Sequence, residues 1–425
     1  MRVVCTPLNN PFVPLGKGFM WTHIMGVIDR LKAIGPGALV AAAFVGPGTV
    51  TTASVIGAEY AYLLVWTIAF SILATIVLQE MSARLGLISK EGLGEAFRNE
   101  FSNPLVKGVT IVLVVSAIGV GTAAFQTGNI VGGAAGLSTI TGISENIWGP
   151  VIGLIAAGLL WTGNYKLIER VFIGLVVVMG LAFLVNAAVV RPDLGALGGG
   201  LVPTIPDGSA YLIAGLIGTT VVGYNLFLHA STVQERWDGA SDLAECRTDT
   251  IGMVIIGGLI TTSIVVTAAS VFPEGTQIAD VGAMADQLEP VFGGYALTFF
   301  AIGLFAAGFT SAMSAPLAGA YATAGALGWE RDLKSTRFRA IWMTILGTGI
   351  VFSALDYNPV EVIVFAQVAN GLLLPILAVF LIYAMNNDDL LGEHTNTTLQ
   401  NVLGGIVTLV VVGIGLRTLY DVLIL

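Results

Sequence analysis

Two short segments carry the residue types in this chain best suited to chemistry. One reads Ala-Phe-Val-Gly46-Pro47-Gly48-Thr49 and the other Thr219-Thr-Val-Val222-Gly223-Tyr224-Asn225, each near the middle of a long uncharged stretch. Proline removes a backbone donor and glycine weakens a helix, so both segments can leave carbonyls and amides unpaired in an apolar setting. Unpaired carbonyls beside a threonine hydroxyl are oxygen donors for a cation. Bond-making chemistry has no comparable signature. The chain lacks a Ser-His-Asp set, an HExxH, a phosphate-binding loop and an ATP-binding domain, so neither an enzyme nor a primary pump is expected. Gly119-Val-Gly121-Thr-Ala-Ala124 has the look of a dinucleotide fingerprint, but no soluble strand precedes it. It reads as helix packing, as does Gly132-Gly-Ala-Ala-Gly136.

Transmembrane helices must position these segments. Of 425 residues, 55% are hydrophobic and 11% charged, against roughly 25% charged in a soluble domain. That composition excludes a soluble enzyme, a disordered chain and a nucleic-acid binder. Lys and Arg number 18 against 27 Asp and Glu, a net charge of −9 with no basic tract. The 54 glycines suit helices that pack closely in lipid. Cys5 and Cys246 lie far apart without a metal-type partner and read as free thiols. Stretches approaching the roughly 20 apolar residues that cross a bilayer recur along the chain, from residues 33–58 to residues 402–416. They predict an all-α polytopic membrane protein with eleven spans. Residues 1–32 have no continuous apolar run and are expected to form a cytosolic tail, not a signal peptide.

With the N-terminus inside, sixteen Lys and Arg fall on the cytosolic side and only Arg191 in an outer loop, while Arg417 lies within span 11. The loop after span 7 holds Glu274, Asp280, Asp286 and Glu289 and no basic residue, as an outer loop can. The C-terminus then lies outside, and the protein is a multi-pass component of the plasma or inner membrane. Its interrupted spans, 1 and 6, are five apart. Paired interruptions at matching places in two halves point to a transporter's central site between two repeats. The repeats would be residues 33–190 (spans 1 to 5) and 208–387 (spans 6 to 10), with residues 398–425 as span 11. A pair of plain structural kinks is the competing account.

At these interruptions the sequence resembles the Nramp family of divalent-metal transporters. The family has Asp-Pro-Gly-Asn in span 1 and Met-Pro-His-Asn, then Leu-Tyr-Leu-His, in span 6. Here Gly46-Pro47-Gly48-Thr49 and Val222-Gly223-Tyr224-Asn225-Leu-Phe-Leu-His229 stand in their places. Gly-Ala-Glu-Tyr-Ala-Tyr-Leu-Leu-Val-Trp66, Gln79…Arg84-Leu-Gly86, Phe-Ala-Ile-Gly-Leu-Phe-Ala-Ala-Gly308 and Gln367-Val…Leu-Pro375 agree as well, in the right order. The resemblance implies a LeuT-type inverted repeat of five plus five helices with an eleventh appended.

The departures carry more information about function. The resemblance implies that the ion is held by the positions of Gly46 and Thr49, the carbonyl of Thr219 and the thioether position, Val222, with Gln367 able to close over it. Pro47, Gly48, Gly223, Tyr224 and Asn225 would line the site. The family's Asp and its thioether are both missing here. Its proton-handling Asp and Glu in span 3 map to Gln126 and Asn129, and its span 6 His to Tyr224, whereas His229 and Arg337 are retained. His229 has no second ligand at metal spacing, so a structural hydrogen bond is its expected role. Amide side chains do not titrate, so proton coupling is expected to be absent. Loss of sulfur favours a hard ion, and the pattern is most similar to the Nramp-related magnesium transporters. The expected cargo is Mg²⁺, with Mn²⁺ tolerated, carried partly hydrated and without a cofactor or an obligate protein partner. A proton-coupled Mn²⁺/Fe²⁺ transporter, a LeuT-type carrier of a small organic substrate and a non-transporting sensor are the alternatives.

Overall fold

The computed structural model describes residues 45–163 and 166–424. The expected tail, residues 1–32, and the first part of span 1, residues 33–44, lie outside the described residues. The membrane helices are α1 (Pro47–Tyr60), α2 (Val65–Ser89), α3 (Pro104–Thr141), α4 (Glu145–Thr162), α5 (Lys166–Val189), α6a (Ala210–Thr220), α6b (Gly223–Arg236), α7 (Leu243–Val271), α8 (Ala296–Leu327), α9 (Thr336–Ser353), α10 (Pro359–Ala384) and α11 (Thr398–Ile424). Among the described residues eight helical stretches are long and apolar enough to cross a membrane. α1, α4 and α9 occupy the places of the other three expected spans.

Local chemistry sets the helix ends. Asn103 caps α3, its side chain accepting from the Leu105 and Val106 amides, with Pro104 in the first turn where its missing N–H is no loss. Gly142 ends the same helix at φ 71°, a left-handed conformation that glycine adopts without steric penalty. Close packing follows the small residues. An added Cβ on Gly136 would lie 2.6 Å from the Ala301 carbonyl oxygen and 2.9 Å from the Phe305 nitrogen, and Gly133 faces Gly308, so α3 and α8 meet nearly backbone to backbone. The Gly132–Gly136 run is thus a packing face.

A buried polar pin fixes α1. Gln287, wholly buried in a short 3-10 helix between α7 and α8, donates through Nε2 to the Ser54 hydroxyl on α1 (2.8 Å) and to the Met284 carbonyl (2.8 Å). Its Oε1 accepts from Thr267 on α7 (3.3 Å), and its backbone carbonyl accepts from Asn186 on α5 (2.5 Å). Replacing Gln287 with methionine keeps the volume but leaves the Ser54 hydroxyl without its donor, which costs about 1–3 kcal/mol in a buried setting. Thermal unfolding of Gln287→Met should shift down by several degrees, and a shift equal to that of an exposed control substitution would refute the pin.

At the opposite end, the buried Arg84 of α2 donates to the His394 carbonyl (2.6 Å) and to Asn396 Oδ1 (2.6 Å), tying α2 to the segment between α10 and α11. Glu80 pairs with Arg84 (3.1 Å) and Arg247 (2.7 Å). Asn396-Thr-Thr398 fits a glycosylation sequon in sequence, but Asn396 serves this packing contact.

Candidate functional site

Span 6 is interrupted where sequence reasoning expects it, but over fewer residues, and at the break expected in span 1 the described residues begin at Val45. Gly46 is extended (φ −80°, ψ 171°) and α1 begins at Pro47, so Pro47, Gly48 and Thr49 are helical and not unwound. Proline's fixed φ suits a first helical turn, which is why the break stops ahead of it. In span 6 the non-helical residues are Val221 and Val222, and Gly223, Tyr224 and Asn225 already belong to α6b. Neither Gly46 nor Val222 supplies a side-chain cap, so both half-helices start uncapped.

Across the two breaks the Thr49 and Thr219 hydroxyls meet at 2.8 Å, both residues 1% exposed. Gln367 of α10 lies against their chain neighbours Gly48 and Gly218. Its amide packs so closely on Gly48 that any side chain there would overlap it, and its Nε2 donates to the Ile363 carbonyl (3.3 Å) while Oε1 has no partner. The carbonyls ending α6a are mostly engaged. Asn370 Nδ2 donates to the carbonyls of Gly218 (2.5 Å) and Val221 (3.4 Å), and Thr75 reaches that of Thr220 (3.5 Å). Among the described residues none donates to the Thr219 carbonyl. The carbonyl of Gly46, by contrast, already accepts from Val50 (3.1 Å) and is spoken for by the first turn of α1. Thr49, Thr219 and Gln367 are therefore brought together as oxygen donors, whereas Gly46 contributes backbone shape.

Val222 and Tyr224 belong to a different environment. With Phe125 of α3 and Ala315 and Ala318 of α8 they form a buried apolar cluster, the Phe125 and Tyr224 rings meeting edge to face at 5.4 Å. The Tyr224 ring is a helix contact. Asn225 is buried with its Nδ2 unpartnered. Pro47 packs on Gly132 of α3, and an added Cβ on Gly223 would come within 2.7 Å of Leu377.

Along α3, Gln126 donates to the Ala312 carbonyl of α8 (3.0 Å) but leaves Oε1 unpaired, and both amide atoms of the buried Asn129 lack a partner. His229 Nδ1 lies 2.9 Å from Gln79 Oε1, so the expected structural hydrogen bond is present. Arg337 departs from its expected grouping: it is exposed in the first turn of α9, its guanidinium 5.3 Å from the Trp329 ring centre, away from Gln126 and its hydrogen bond to α8.

Sequence reasoning missed three groups. Asn370, which holds the end of α6a, stands three residues after Gln367 in an apolar span, and that isolation was its signal. Thr52, one turn beyond Thr49, is fully buried with an unpartnered hydroxyl. Glu59 and Glu361, with Tyr211 and Gln277, line a cavity of about 1010 Å³ between α1, α3, α6a, α9 and α10. That cavity reaches Ala366, the neighbour of Gln367, and single-sequence patterning could not foresee it.

Residues 37–421 match the family described as natural resistance-associated macrophage protein-like. The chain belongs to this family, Nramp. Among curated Nramp relatives, the "Divalent metal cation transporter MntH" of Yersinia pestis (strain Pestoides F) is 28% identical over 403 residues, covering 93% of this chain and 96% of its own length. The manganese transporter of Eremococcus coleocola superposes with a TM-score of 0.74 at 22% identity, over 96% of this chain and 89% of that one. MhsT, solved in complex with L-phenylalanine, gives 0.59 at 16% identity over 91% and 98%. These likenesses place the Nramp chain in the LeuT-type fold, all-helical with an interrupted sixth helix. Among the described residues no group of three or more His, Cys, Asp or Glu could hold a metal ion. Any cation at the breaks would meet oxygen donors that carry no full charge.

Proposed function

We propose that this Nramp protein admits divalent cations, Mg²⁺ foremost with Mn²⁺ tolerated, through the site between α1, α6a and α10, without moving protons. The observation that carries the reading is the donor set: two threonine hydroxyls facing each other across the breaks, a carbonyl with no donor and the free Oε1 of Gln367. The Yersinia relative, a divalent metal cation transporter, and the Eremococcus relative, a manganese transporter, support a divalent cation as cargo. Preference for Mg²⁺ rests on chemistry. Soft sulfur selects transition metals, and Val222 has none to offer. Mg²⁺ parts with water reluctantly and usually keeps several waters in its shell. A neutral oxygen site beside a cavity of about 1010 Å³ that reaches Ala366, the neighbour of Gln367, suits a partly hydrated ion. Entry requires the Thr49–Thr219 hydrogen bond to open, exchanging a contact of about 1 kcal/mol for coordination.

The C-terminal end of α6a, the partially negative pole of a half-helix, supplies the favourable potential. An inside-negative membrane adds about 2.3 kcal/mol per charge per 100 mV, so a divalent cation needs no proton to enter. The same reading has residues 33–190 and 208–387 as the two repeats, the N-terminus in the cytosol and the Glu59 end outside, in a plasma or inner membrane. A second reading draws on the uncapped starts of α1 and α6b, whose free amides could hold the carboxylate of a small organic substrate. Uptake into proteoliposomes separates the two. Mn²⁺ entry should be suppressed by excess Mg²⁺ and untouched by amino acids. Mn²⁺ entry that Mg²⁺ fails to compete would defeat the Mg²⁺ proposal, and amino-acid uptake would favour the second reading.

A further inference from the structure

A second cavity, of about 500 Å³, lies between α3, α8 and α9 and carries no part of the ion site. Its walls are Val115, Gly119, Ala123, Ile341, Ile345 and their neighbours, and Gly119 fronts open space, with nothing within 4 Å of an added Cβ. At one end stand Arg337 and Trp329, the guanidinium 5.3 Å from the ring centre. Among the described residues Arg337 pairs with no carboxylate. At the other end Ala123 and Thr348 also line the large vestibule, so the two cavities abut there.

We propose that this groove holds one anionic phospholipid, its phosphate on Arg337 and one acyl chain running between α3 and α9 toward Ala123 and Thr348. Three observations select this occupant. The walls are apolar and the groove lies on helices that face the bilayer, several of its α9 residues being exposed in the protein alone. The twelve residues from Arg337 to Thr348 span about 16 Å of helix, close to the roughly 15 Å hydrocarbon depth of one leaflet. Tryptophan beside an unpaired arginine places this end at headgroup level, where a basic residue attracts anionic lipid. The seated chain completes the wall where vestibule and groove meet and keeps the vestibule from opening sideways.

Native mass spectrometry of the full chain, titrated with dioleoyl phosphatidylglycerol or the matching phosphatidylcholine, tests this. One phosphatidylglycerol should bind with about fivefold preference over phosphatidylcholine, the ratio that one basic residue at an anionic surface supports. Arg337→Gln should abolish the preference and Arg337→Lys retain it. Gly119→Phe, which fills open space and should leave thermal unfolding unchanged, should remove the bound lipid of either headgroup. An even ladder of both lipids on the wild type overturns the proposal, as does an undiminished preference in Arg337→Gln or unchanged binding in Gly119→Phe.

Discussion

Exchanging Gly46→Asp, Thr49→Asn and Val222→Met together is expected to raise Mn²⁺ uptake relative to Mg²⁺ by about tenfold or more, equivalent to about 1.4 kcal/mol of changed preference. The three substitutions restore a carboxylate, an amide and a thioether at the two breaks. Each has a place to go. Gly46 precedes Pro47 as an uncapped N-cap, where aspartate is among the preferred residues, so the carboxylate can settle without disturbing α1. Asparagine at 49 replaces one half of the Thr49–Thr219 hydroxyl pair. Val222 sits among Phe125, Tyr224, Ala315 and Ala318, and methionine is flexible enough to turn its sulfur out of that cluster. The thioether supplies the preference for transition metals, and the carboxylate raises affinity for every divalent ion. Competition between the two ions in proteoliposomes reads the ratio, and an unchanged ratio in a folded triple variant would remove the link between these positions and selectivity.

Gly218→Ala should be the most damaging single substitution in the site region. An added Cβ there would collide with the Gln367 carbonyl and lie 2.6 Å from the Gly371 nitrogen, both backbone atoms that cannot rotate away. On the facing helix, a Cβ on Gly371 would collide with the Ala214 carbonyl, so α6a and α10 touch through matching small residues. Forcing them apart costs about 1–3 kcal/mol by overpacking alone. It would also stretch the hydrogen bonds from Asn370 to Gly218 and Val221, and shift Gln367 off Gly48. Uptake should fall by at least about a hundredfold, the scale of a misplacement of an ångström in a positioned site. Gly48→Ala is the instructive contrast, because its Cβ meets only the Gln367 side-chain amide, which can swing aside. That variant should unfold like the wild type while losing cation affinity. A Gly218→Ala protein with normal uptake would show that the contact between α6a and α10 does not set the site.

Much of this architecture is legible in the sequence because a membrane span demands a long uncharged run and a proline or glycine within it is conspicuous. The span 6 break and the helix start at Pro47 were visible for that reason, as was the packing role of Gly132 to Gly136. The extent of unwinding was not. Proline halts a helix when approached from its N-terminal side yet starts one well, so Gly46-Pro47-Gly48-Thr49 resolves into one extended residue and a helix start. The pairing of Thr49 with Thr219 and the approach of Gln367 to Gly48 join residues far apart in sequence, and only the resemblance to Nramp brought them to one site. Asn370 and Gln287 are buried polar residues whose partners are backbone carbonyls or distant hydroxyls, contacts that leave no periodic trace. Arg337 shows the opposite limit. The resemblance grouped it with Gln126, Asn129 and His229, whereas it stands exposed in the first turn of α9.

The claim most in need of a direct test is that a divalent cation crosses this site by itself, drawn by voltage. Proteoliposomes loaded with both a Mg²⁺ indicator and a pH indicator, with the membrane potential clamped by a potassium gradient and an ionophore, measure both fluxes in one vesicle population. Mg²⁺ influx should rise as the interior is made more negative, proceed equally with a proton gradient in either direction and leave the luminal pH unchanged. Acidification of the lumen in proportion to Mg²⁺ influx, or an influx driven by the proton gradient with the voltage held at zero, would contradict it.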